Sequence, residues 1–234
     1  MDQRHLRTSD KRSPISCYMN QYITYFEIAA FTASLAAWGT IKKSRYLRWF
    51  PLLLFIIVSL ETYETFFRVK KNILNALAYN IQIPLQHLLY LMILYFAMEK
   101  KSFKKFPLIA SIAYVLFAVV TAVFFTDKDH FNVLAYSLGS VLIIISIILK
   151  FYEMLQHPAA LDFLKDPFFY MLFAFLLFNM GTLPLFVMGN WLYYTKGFAS
   201  IVHMLIVVTS ILNYILYSTY SIAFIWMMRK NGTS

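Results

Sequence analysis

Apolar residues run almost unbroken at 20–41, 48–67, 73–98, 106–126, 132–155, 167–189 and 198–228, and basic, acidic or prolyl segments interrupt them. A helix of about twenty residues rises about 30 Å, which matches the hydrocarbon thickness of a bilayer. The pattern therefore predicts an all-α fold: a polytopic membrane bundle of about seven transmembrane helices. Gln156-His157-Pro158 stops the fifth helix, and Asp166-Pro167 starts the sixth with an N-cap followed by a proline in the first turn. Residues 1–17 are polar and basic with no apolar core, so they read as a disordered tail and not as a cleavable signal peptide. Residues 18–230 then form a single seven-helix domain, and 231–234 a short C-terminal tail.

Polar side chains fall on one arc of the third and seventh spans. At 100° per residue, Asn75, Tyr79, Asn80, Gln82, Gln86, His87 and Tyr90 share about half a turn, opposite Leu74, Leu77, Ala78, Ile81, Leu85, Leu88, Leu89 and Met92. The seventh span repeats the division, with His203, Thr209, Ser210, Asn213, Tyr214, Tyr217, Tyr220 and Ser221 against Met204, Val208, Ile211, Ile215 and Ile222. Amides in a bilayer helix must face the bundle interior, so the two spans are expected to face each other across a polar seam.

Composition agrees with this class: 60% of the residues are hydrophobic and 14% charged. The formal charge of +10 sits between apolar runs, where it anchors helices to anionic headgroups, so the expected partner is a lipid bilayer and not nucleic acid. With the N-terminus outside and the C-terminus cytoplasmic, 12 of the 21 Lys and Arg lie inside, including the loops at 42–48 and 99–105. A translation start at Met19 would sharpen that ratio to 12 against 5, an expectation that mass spectrometry of the N-terminus checks. The expected location is the cell membrane, as a multi-pass protein. Cys17 has no second cysteine with which to form a disulfide or a thiolate metal site.

Ionisable groups within the spans are the sharper signal, because a charge at the bilayer centre costs at least about 2.5 kcal/mol. Glu64 precedes Arg68 by four residues, the favourable order for a helical salt bridge, and that pairing accounts for it. Glu27 has no basic neighbour in its own span. In the N-out orientation Glu27, Glu61, Asn80, Thr182 and His203 all lie roughly 7–11 Å below the outer boundary, while His87 and Asn213 lie nearer the midplane. Pro84 and the Gly181–Pro184 stretch add backbone irregularity nearby. The coincidence predicts an outward-facing polar cavity whose ligand-binding residues are Glu27, Glu61, Asn80, Gln82, His87, Thr182, His203 and Asn213, with Glu27, Glu61 and His203 as one coupled site.

Familiar chemistries find no platform. His203 is followed by Val207 where seven-helix membrane hydrolases of the ceramidase type carry a second histidine. No lysine lies between Gly197 and Arg229 for a retinal Schiff base. Phosphate-binding glycine loops and G-x-S-x-G elbows are absent, and no spacing marks a metal site, so metal binding stays open and neither a cofactor nor catalytic residues are expected. The expected function is a receptor-like or sensor-like bundle that binds a small polar or cationic solute and signals through a membrane protein partner. The alternatives are a small transporter or ion pathway and a structural subunit of a membrane complex.

Overall fold

The computed structural model describes the backbone of residues 14–66, 72–126, 131–156, 162–196 and 199–232. Its described residues are all-helical: α1 (Pro14–Ala36), α2 (Trp38–Ile41), α3 (Phe50–Phe66), α4 (Asn72–Ala97), α5 (Lys101–Phe124), α6 (Val133–Leu155), α7 (Pro167–Lys196) and α8 (Ala199–Gly232), with no strand. Among the described residues, five stretches are long and apolar enough to cross a bilayer: Leu77–Ala97, Lys101–Phe124, Val133–Leu155, Pro167–Met188 and Val207–Lys230. The chain is therefore a multi-pass membrane protein. Of the other long helices, α3 has 17 residues, at the short end of the spanning range, and α1 carries Asn20, Gln21, Thr24 and Glu27 in its middle. Helix α1 begins at Pro14, inside the segment read as a tail from the sequence; residues 1–13 lie outside the described residues.

Helices α1, α3, α4, α6, α7 and α8 each pack against the next, and α8 returns to α1, so six helices close a ring. Helix α5 lies outside it against α4 and α6. That position explains its surface, where Ile109, Ile112, Leu116, Val119 and Val123 are exposed as a continuous apolar face while Ala110, Tyr114, Ala118 and Thr121 are buried on the other side. Helix α4 divides as its periodicity predicts, with Leu77, Ile81 and Leu85 exposed and Gln82, His87 and Tyr90 buried. Leu89 departs from the pattern: it is buried in a helix that packs against α3, α5 and α6.

Caps define the helix ends. Asp166 Oδ1 accepts the Phe168 N–H at 3.0 Å, opening α7 behind its first-turn proline. Asn132 Oδ1 accepts the Ala135 N–H at 3.0 Å and opens α6. At the opposite end of α6, Glu153 accepts the N–H groups of Glu99 and Lys100 at 2.9 and 2.6 Å and pairs with Lys150 Nζ at 2.8 Å, which clamps the α4–α5 connection to α6. Tyr46 meets Phe168 and Tyr170 meets Trp226, so the basic connections at 42–48 and 98–101 gather at one end of the bundle with the end of α8. Arg48 over Trp49 and Lys104 over Tyr95 mark that end with cation–π contacts at 5.4 and 4.7 Å.

The apolar core fills the half of the ring nearest this basic end. Leu53, Leu54, Leu91, Leu94, Ile143, Ile147 and Phe224 are fully enclosed there. Polar side chains and empty space occupy the other half.

Candidate functional site

Two adjoining cavities lie in that second half, of about 320 and 180 Å³. They share Glu27 of α1, Glu61 of α3, Tyr79 and Ile83 of α4, Phe186 of α7, and Thr209 and Asn213 of α8. The larger adds Ile23 and Phe131; the smaller runs toward the bundle centre past Gln82, Gln86, His87, Tyr136, Asn179 and Tyr217. Its floor is aromatic. Tyr90 stacks on Phe175 at 3.6 Å between ring centres, and its hydroxyl lies 3.2 Å from that of Tyr220. Beneath it Phe50 packs edge-on against Tyr220 and Phe224, so the space ends blind toward the basic end.

The two carboxyl groups come from neighbouring helices and line the same two cavities. Glu27 is buried, and its Oε2 has no hydrogen-bond partner among the described residues. Glu61 is half-buried and accepts from the Tyr79 hydroxyl at 3.4 Å. Gln82 is also buried, and its Oε1 is a second acceptor without a donor. Enclosed polar atoms left unpaired each cost about 1–3 kcal/mol, and both of these belong to residues that line the inner cavity. No Lys or Arg appears among the described lining residues.

Behind the smaller cavity His87 is held on three sides. Its Nδ1 lies 2.9 Å from the Ile83 carbonyl and 3.2 Å from the Tyr114 hydroxyl, and its Nε2 lies 3.5 Å from Ser140 Oγ. Gly139 permits this approach: a Cβ there would come 2.9 Å from both the His87 and Tyr114 rings. Pro84 has no N–H for the Asn80 carbonyl one turn earlier, which loosens the α4 ladder beside the cavity.

Of the residues singled out in the sequence, Glu27, Glu61 and Asn213 line both cavities, and Gln82 and His87 line the inner one. Two others are engaged elsewhere. Asn80 Oδ1 accepts the Asn132 N–H at 2.8 Å, while Asn132 Nδ2 donates to Thr121 Oγ1 at 2.9 Å, which ties α4, α5 and the start of α6 together. Thr182 donates to the Phe178 carbonyl at 2.8 Å, so the Tyr136 hydroxyl at 2.6 Å is the donor to Thr182. The side chains of His203 and Glu64, and all of Arg68, lie outside the described residues, as does the proposed Glu64–Arg68 pair.

Asn179 and Phe186 line the site from α7, whose sequence carries no amphipathic signal to single them out, and Tyr136 joins them from α6. Phe186 and Tyr136 are 4.7 Å apart between ring centres, with Phe131 at 5.8 and 5.9 Å from them, forming an aromatic wall across the ring from the carboxylates. Among the described residues no three His, Cys, Asp or Glu side chains converge as a metal site. The chain matches no family model, no curated protein and no solved structure.

Proposed function

We propose that this chain is a seven-span membrane protein, N-terminus outside and C-terminus cytoplasmic, that binds a small polar or cationic solute in its polar half and acts as a receptor or sensor signalling through a separate membrane partner. One observation carries the reading: two joined cavities contain a pair of carboxyl groups together with two unpartnered acceptors, Glu27 Oε2 and Gln82 Oε1. Helices α1 and α3 supply both carboxyl groups and complete the ring, which favours counting them among the spans. The basic residues at the opposite end favour an outward-facing cavity.

The aromatic floor of Tyr90, Phe175 and Tyr220 supports binding over permeation, since the space ends blind. A transporter reading requires that floor to part.

The test is a thermal-shift screen of the full chain in lipid nanodiscs against small polar and charged solutes. A binding solute raises the melting temperature by mass action, and Thr209→Trp, which fills the cavity mouth, abolishes the shift. Absence of any solute that behaves so overturns the reading. Uptake of the bound solute into proteoliposomes would replace the receptor role by transport.

A further inference from the structure

The cavity's wall chemistry narrows its ligand. The carboxyl groups of Glu27 and Glu61 both line the space, and no Lys or Arg stands among its described lining. The unpartnered atoms of its lining residues, Glu27 Oε2 and Gln82 Oε1, are both oxygens. Across the ring stand the aromatic side chains of Phe131, Tyr136 and Phe186. A hard inorganic cation is held by oxygen ligands alone and leaves the aromatic side of the space unused. A quaternary ammonium suits the aromatic wall but brings no N–H to the orphaned acceptors.

We propose that the joined cavities bind a small organic ammonium ion, whose N–H groups satisfy Glu27 and Gln82 and whose apolar body rests on the wall formed by Phe131, Tyr136 and Phe186. This rests on the reading of the cavity as a solute site and names its ligand class. Charge-assisted N–H···O bonds supply orientation, and the aromatic wall favours a cation over its neutral isostere.

Isothermal titration of the full chain in nanodiscs at fixed ionic strength tests it, with butylammonium and 2-phenylethylammonium, N,N,N-trimethyl-2-phenylethylammonium, 2-phenylethanol, sodium and calcium as probes. At least one primary ammonium is expected to saturate a single site and to bind at least about tenfold more tightly than the trimethyl and alcohol analogues. Glu27→Gln is expected to weaken it by about tenfold or more and Phe186→Leu by less, each variant first checked for an unchanged melting profile without ligand. The wild-type ranking decides the matter even where a variant misfolds. Tighter binding of the trimethyl ion, the alcohol or a metal cation overturns the ammonium assignment and leaves the solute site standing. Failure of every probe here overturns the ammonium assignment, and failure of the wider solute screen overturns the site itself.

Discussion

The hydroxyls of Tyr90 on α4 and Tyr220 on α8 lie 3.2 Å apart, both fully buried, and join two helices that do not otherwise pack along their length. Tyr90→Phe leaves the Tyr220 hydroxyl without that partner and is expected to cost about 1–2 kcal/mol. Tyr220→Phe should cost a similar amount, and the double variant less than the sum, with a coupling of about 0.6–1.7 kcal/mol. Reversible unfolding in mixed micelles measures the cycle; strict additivity would remove the bond from the account of the floor.

Two glycines should respond in opposite directions. At Gly139 a new Cβ meets the His87 and Tyr114 rings at 2.9 Å, and Gly139→Ala is expected to destabilise by about 1–3 kcal/mol. At Gly39, in α2, nothing lies within 4 Å, and Gly39→Ala should be neutral or stabilise by up to about 1 kcal/mol through the helix preference of alanine. Melting of the two variants side by side reads the difference, and equal effects would mean that His87 is not held against α6.

Glu153 holds the α4–α5 connection through two backbone N–H groups and neutralises Lys150. Glu153→Ala strands a buried ammonium and frees both N–H groups, with an expected loss of about 2–4 kcal/mol. Lys150→Met should cost less, since Glu153 keeps its backbone donors. Chemical unfolding of both variants checks the order, and a larger loss for Lys150→Met would contradict it.

The orientation predicts that Ser44 and Ser102 lie on the cytoplasmic side, beside the basic residues of their connections. In a Cys17→Ser background, cysteines at these positions should resist an impermeant maleimide applied outside and react after permeabilisation. Labelling from outside would invert the bundle and turn the cavity toward the cytoplasm.

Helix periodicity made much of the architecture legible in advance. A run of apolar residues fixes its own helix in a bilayer because every backbone group must be bonded within the segment, and Asp166-Pro167 marked a helix start through purely local geometry. The buried arc of α4 followed from the same local rule, since a polar residue at Gln82 or His87 has one arc on which to hide.

The site was legible only in part, because depth along a helix says which layer a side chain occupies and not what it touches there. Glu27, Glu61, Asn80 and Thr182 share a layer by counting residues; the fold puts the first two on the cavity, Asn80 on the Asn132 N–H and Thr182 under Tyr136. Aromatic residues are abundant at membrane interfaces, so nothing local set Phe131, Tyr136 and Phe186 apart from the others. Their convergence depends on α6 and α7 closing the ring opposite α1 and α3. The sequence by itself determined the helices, the faces they bury and the presence of carboxyl groups within the apolar runs, because these are set by hydrogen bonding and hydrophobicity within single segments. The order of helices in the ring, the exclusion of α5 from it and the pairing of carboxylates with an aromatic wall were decided only by tertiary packing, because helices with similar apolar surfaces choose neighbours by the fit of side chains that lie far apart in the chain.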